Sequence, residues 1–230
     1  MVPRGWWLLR RTIGIAAFVL LILAQLAAFL YVPPERTMGD VQRIFYFHVA
    51  SAWNAFLAFF VVFLAGVLYL FSRRRPLDSL AAASAEVGVV FTTIVLVTGP
   101  LWAKPVWNTY WTWDVRLTTT LILWFIYVAY LAIRAAVDEP DQRARLSSIF
   151  GILGFIDVPV VFFSIRWWRS IHPVLIEPGS MNMSGPMVAT LILSVVAFTV
   201  LYVYLTLYVR DWMEIKEELS EAKDRLRWTM

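Results

Sequence analysis

Residues 99–119 read GPLWAKPVWNTYWTWDVRLTT and set four tryptophans, Trp102, Trp107, Trp111 and Trp113, within twelve positions, with Asp114 and Arg116 directly after them. Indole rings are large, flat and rigid, so a run this dense offers a surface for a large planar ligand. Trp107 and Trp111 are four apart, and a short helix here would stack them on one face. A buried ring removes some 150–250 Å² from water, worth about 4–6 kcal/mol gross at ~25 cal/mol per Å². A few such rings could hold a flat ligand without a deep core.

The chain has only two histidines, His48 in RIFYFHVASAW and His172 in SIRWWRSIHP. Phe45, Tyr46, Phe47 and Trp53 surround the first, and Trp167 and Trp168 precede the second. Neutral imidazole is a good ligand for haem iron. Two imidazoles on separate elements at one membrane face could bracket one iron; the plainer alternative is that each bonds a neighbouring helix. A porphyrin also carries two carboxylates, and guanidinium pairs well with carboxylate. Arg43, Arg116, Arg166 and Arg169, with Lys104, lie on the same side of the chain's membrane pattern. Each could instead be a rim residue reaching for water. Arg116 has a further option in Asp114, which could also orient a ring N–H or cap the helix that follows. Met181 and Met183 are other potential iron ligands in the last outer loop.

The elements that position these groups are membrane helices. Sixty per cent of the 230 residues are hydrophobic and 16% charged, well below the one quarter charged of soluble domains. Six runs approach the ~20 apolar residues that a span requires: 12–32, 46–71, 80–101, 117–135, 147–165 and 186–209. Lipid tolerates only helices or closed barrels, and runs this long are helical. The fold is expected to be all-α, a six-helix transmembrane domain over 1–209 with an amphipathic tail over 210–230. In the tail Trp212, Ile215, Leu219, Ala222 and Leu226 recur at helical spacing. That stripe is either the sixth helix continuing past the membrane or a face for a partner. Pro159 should kink the fifth helix, because its ring clashes with the carbonyl of Phe155, and Pro186 suits the first turn of the sixth.

Lys and Arg set the orientation. Fourteen of the 20 flank one side: Arg4, Arg10, Arg11, the run Arg73, Arg74, Arg75, then Arg134, Arg143, Arg145, and five from Arg210 onward. Both termini are expected in the cytoplasm, with the tryptophan segment and both histidines facing out. The apolar run near the N-terminus is too long for a signal core and is read as a retained span, which points to a bacterial inner (plasma) membrane or an organellar descendant. An interfacial tryptophan belt would decorate every outer loop, whereas residues 33–45 carry none. Two acids fall in apolar runs, Asp157 in the fifth span and Glu86 in the third. An acid there is a functional candidate; the alternatives are that Asp157 is protonated or bonds the backbone freed by Pro159, and that Glu86 reaches towards Arg73, Arg74 and Arg75.

The segment from Trp107 to Thr118, with Trp111, Trp113, Asp114 and Arg116, resembles the WWD signature of haem-handling proteins of cytochrome c biogenesis. Six spans, one outer histidine on each side of the signature, and the string Trp167, Trp168, His172 are similar to the CcmC family over nearly the whole length. The resemblance implies that His48 and His172 are axial ligands. It also implies that Trp102, Trp107, Trp111, Trp113, Asp114, Trp167 and Trp168 form a platform for haem b, held non-covalently and passed on. It further implies presentation to a CcmE-like haem chaperone beside a CcmA/CcmB-like ABC transporter and a CcmD-like small protein. Asn108 stands where the family has glycine, and asparagine tolerates left-handed backbone better than most residues.

Other classes fit less well. A b-type cytochrome electron carrier would stack haem across the membrane between buried histidine pairs. A transporter working through Asp157 would carry paired broken helices, and this chain offers one Pro-kinked span and no internal repeat. With no cysteine there is no thiolate site and no covalent haem attachment to this chain. With no P-loop, HExxH or nucleophile elbow, a non-enzymatic carrier is expected.

Overall fold

A computed structural model describes the backbone of residues 4–172, 176–177, 180–181 and 183–227. Seven α-helices follow in order: α1 (Arg4–Leu26), α2 (Ile44–Ser72), α3 (Arg75–Trp107), α4 (Val115–Ala136), α5 (Pro140–Gly154), α6 (Asp157–Trp167) and α7 (Gly185–Arg227). A widened turn, Ala27–Tyr31, extends α1, and a tight 3₁₀ turn, Asp40–Arg43, leads into α2. The only strands among the described residues are Ile176–Glu177 and Ser180–Met181, paired antiparallel. Six stretches are long and apolar enough to cross a membrane, α5 and α6 together making the fifth. The protein is therefore an all-α, multi-pass membrane protein. Several helices outrun the apolar lengths read from sequence, since hydrogen bonding continues after hydropathy fades.

The fifth span is interrupted where Pro159 requires it. Proline has no N–H for the carbonyl of Phe155, and that carbonyl takes Val158 N–H at 3.0 Å instead. Phe155 and Ile156 form the turn between α5 and α6. Asp157 falls in the first turn of α6, and its Oδ2 is buried without a hydrogen-bond partner among the described residues. The cations acting on Glu86 are Arg134 and Lys216, not the Arg73, Arg74, Arg75 run. Pro186 lies in the first turn of α7. That helix passes Val209 and Arg210 without a break, so the residues beyond 209 continue it, with Trp212, Ile215 and Leu219 exposed.

The core is built from small residues that let helices approach and a few rings that fill what remains, the usual solution in lipid. Arg73, in left-handed backbone at φ 55°, ends α2, and α3 runs back along it. A Cβ on Gly88 would come within 2.6 Å of Phe59, and one on Gly154 within 2.5 Å of Ile126. Phe59 and Tyr127 stack at 3.6 Å in the middle of the bundle. Ser84 bonds both the Ala58 carbonyl and the Tyr202 hydroxyl at 2.8 Å, joining α2, α3 and α7. At the end away from residues 99–119, Arg134 grips Asp78 with two hydrogen bonds and Arg10 pairs with Asp211. That leaves the opposite end of α2, α3, α4 and α6 free to splay around a cavity.

Candidate functional site

His48 lies in the second turn of α2, where a regular helix fixes its backbone. Its Nδ1 is 2.9 Å from Thr98 Oγ1 on α3, and Thr98 in turn donates to the carbonyl of Ile94 at 2.7 Å. The next residue, Gly99, keeps the neighbouring space clear, for a Cβ there would be 3.4 Å from His48 Cε1.

Downstream, α3 ends at Trp107 because Asn108 turns into left-handed backbone, φ 57° and ψ 18°. Asparagine thus supplies the conformation that glycine would otherwise be needed for. Lys104 Nζ clasps the turn through the Asn108 carbonyl (3.1 Å) and Oδ1 (3.3 Å). The short helix expected to stack Trp107 on Trp111 does not form. The left-handed turn diverts the chain, and residues 108–114 run irregularly, with Thr109 Oγ1 bonded to the Trp111 carbonyl at 3.0 Å.

Asp114 organises the next step. Its Oδ1 accepts from Arg116 N at 2.9 Å and caps α4, a cap typically worth about 0.5–2 kcal/mol. The same carboxylate accepts from Ser170 Oγ at 3.0 Å and from Ile171 N at 3.2 Å, drawing the segment after α6 against the tryptophan segment. Ser170 Oγ then accepts from the backbone N–H of His172 at 3.1 Å. The His172 ring rests edge-on against Trp107, with centroids 5.7 Å apart, and Trp107 packs edge-on against Trp102 at 4.9 Å. Burial first, then the nearby charge of Arg116, pushes the His172 imidazole down to about pKa 3, with Asp114 pulling the other way. It is neutral at physiological pH. Its Nδ1 is buried and has no hydrogen-bond partner among the described residues.

Both histidines line one cavity of about 330 Å³, together with Trp102, Trp107, Trp111 and Arg116. Its size falls in the ordinary range for small-ligand sites. Apolar side chains from α2, α3, α4 and α6, such as Val49, Leu96, Leu117 and Ile165, make up much of the remaining wall. The Nε1 of Trp111 is buried and unpartnered. No hydrogen bond or ion pair engages the Arg116 guanidinium among the described residues, since Asp114 takes its backbone N–H instead. A half-open apolar space, two imidazoles from different elements and an uncommitted cation suit a flat apolar ligand that carries a metal and an anionic edge.

The remaining expected site residues lie elsewhere. Trp113 is 77% exposed, outside the cavity, and packs edge-on against Trp111 at 5.8 Å. Trp167 and Trp168 are exposed at the end of α6, the former stacked on Phe163 at 5.2 Å. Arg166 is on the cavity wall and Arg169 is exposed outside it. Arg43 is committed to the end of α1, bonding Asp40 at 2.9 Å and the Ala28 carbonyl and lying over Phe29. Met183 is half-buried but does not line the cavity, and the Met181 side chain lies outside the described residues. Sequence reasoning missed Thr98 and Ser170, whose partners are 50 and 56 residues away.

The family model for CcmC, described as "Heme exporter protein C", matches residues 6–228. The chain belongs to this family. It is 34% identical to Heme exporter protein C of Bradyrhizobium diazoefficiens over 194 residues, covering 84% of this chain and 74% of that one. It is 33% identical to the protein of the same name from Escherichia coli K12, covering 73% of this chain and 68% of that one. The Haemophilus influenzae protein of that name is also 33% identical, with coverages of 82% and 77%. In this CcmC-family chain the signature residues divide into two sets: Trp107 and Trp111 in the cavity wall, and Trp113 and Asp114 behind or outside it.

Proposed function

We propose that this chain binds haem b non-covalently in the cavity between α2, α3, α4 and α6 and passes it on during cytochrome c maturation. The observation that carries the reading is the meeting, in one apolar cavity, of two imidazoles and the uncommitted guanidinium of Arg116. In this reading haem is cargo. His48 and His172 supply nitrogen to its iron, Trp102, Trp107 and Trp111 cover its faces or edges, and Arg116 meets a propionate. The membrane helices and indoles exclude water, and His172 stays neutral and so available as a ligand. The Lys and Arg bias supports a cavity end that faces the periplasmic side of an inner membrane, with both termini in the cytoplasm. The residues beyond 209 then form a tail in the cytoplasm. Exposed Trp113, Trp167 and Trp168 provide a surface from which a CcmE-like chaperone could collect haem, in association with a CcmA/CcmB-like transporter and a CcmD-like protein.

Purification in mild detergent followed by a pyridine haemochrome assay tests the reading. The expected result is b-type haem near one per chain, either retained or taken up from added haemin. A folded preparation that is colourless and takes up no haemin overturns it.

A further inference from the structure

Among the described residues the His48 ring makes one hydrogen bond, and it leads to a residue outside the signature. Thr98 Oγ1 is 2.7 Å from the carbonyl of Ile94, one turn earlier on α3. A carbonyl oxygen only accepts, so the single hydroxyl proton of Thr98 is committed there, and the oxygen keeps its lone pairs for accepting. The same oxygen lies 2.9 Å from His48 Nδ1. With no proton left to give, Thr98 must be the acceptor and His48 Nδ1 the donor. A neutral imidazole carries one N–H, so Nε2 is left as a bare lone pair. The opposite tautomer would require the hydroxyl to rotate away from Ile94.

The surroundings hold this arrangement in place. Thr98 sits on regular helix, and back-bonding to the residue four earlier is the habitual choice of a helical threonine. Gly99 contributes no side chain that would push the ring away from α3. His48 lines the cavity, whereas Thr98 does not. Thr98 therefore acts from behind the ring.

We infer that Thr98 is a positioning residue: it fixes His48 as the Nδ1–H tautomer and so presents Nε2 as the nitrogen open to iron. The tautomer follows from the hydrogen-bond geometry alone; the iron rests on the haem reading above. An N–H donated by a ligating histidine to an outer partner fixes the ring and raises its basicity, and loss of such a partner typically costs 10–100-fold in metal affinity.

The experiment has two arms. In the detergent-solubilised apoprotein labelled with ¹⁵N-histidine, NMR should find His48 with Nδ1 protonated in the wild type, mixed tautomers in Thr98→Val, and the wild-type pattern restored in Thr98→Ser. After titration with haemin, Thr98→Val should bind about 10–100-fold more weakly, with a raised Fe(III)/Fe(II) midpoint because the weaker donor favours the reduced iron. Thr98→Ser should restore both. Thr98→Ala is the second variant should valine disturb α3. Nitrogen shifts in Thr98→Val and Thr98→Ala identical to wild type would overturn the inference, as would wild-type affinity and midpoint in both. Wild-type protein that shows the Nδ1–H tautomer yet takes up no haemin would sink the haem reading and its iron-ligand corollary while leaving the tautomer assignment intact.

Discussion

His48 and His172 line the same cavity but are held in opposite ways. His48 sits within a continuous helix, and its side chain is tied directly, ring nitrogen to hydroxyl, across to a second helix. His172 sits on irregular backbone after α6. What is tied there is its main chain, through Ser170 to Asp114, while its ring leans on Trp107 with Nδ1 unpartnered. A ligand locked by tautomer and helix binds with little reorganisation. A ligand hung from a loop by two hydrogen bonds can let go without disturbing the bundle, since loops occupy the low end of local stability. A carrier that must hold cargo and then surrender it would use one of each.

Deleting each imidazole in turn is the sharpest way to break that contrast. His48→Ala should reduce haemin affinity by more than about 100-fold, beyond the 10–100-fold cost of losing an outer partner. His172→Ala should retain haem with an altered, high-spin Soret spectrum that added imidazole converts back. Titration of the two variants with haemin checks both, and the reverse order would refute the assignment of fixed and releasable ligands.

Ser170→Ala should have the next largest effect. It removes the bond to Asp114 and the acceptor for His172 N–H, each worth about 0.5–1.5 kcal/mol. Haem should leave roughly 10-fold faster, about 1.4 kcal/mol at 25 °C, in a transfer assay to apomyoglobin. The wild-type tautomer of His48 should be untouched.

The smallest effect is the first step of a pH dependence, a weakening of loop closure of about fourfold at pH 6. The His172 imidazole, ordinarily near 6.5, is held at about 3 in the folded state. Its neutral packing therefore contributes fully above pH 6.5. Below that an opened loop gains a proton the closed loop does not, and closure weakens by about tenfold per pH unit down to about pH 3. Amide exchange at Ile171 and His172, corrected for intrinsic rates, should keep constant protection from pH 8 to 7 and lose it progressively below 6.5. Protection unchanged down to pH 4 would show that the ring is not what seats the loop.

Much of the fold could be read locally. Six spans follow from apolar length, because lipid forces every backbone group into helical hydrogen bonds. Pro159 foretold a kink in the fifth span, which the structure takes further, to a turn before Asp157, and Asn108 could accept the left-handed turn that now ends α3. The aromatic and imidazole inventory pointed to a surface for a flat, metal-bearing ligand, and the structure sets Trp107 and Trp111 in a cavity wall instead. The run of tryptophans misled on one point: spacing of four promised a stacked pair, but spacing has meaning only within a helix, and the helix stops at Trp107.

By itself, then, the sequence determined the helices, their number and the types of side chain available for chemistry, since these depend on composition and on neighbours a few positions apart. Tertiary packing alone decided which of them act together. It brought Thr98 to His48 and Ser170 to Asp114, turned Arg43 towards the end of α1, and left Arg116 facing the cavity uncommitted. Hydrogen bonds choose partners within about 3 Å, and across 50 residues of chain that distance is set by how helices pack rather than by anything written nearby.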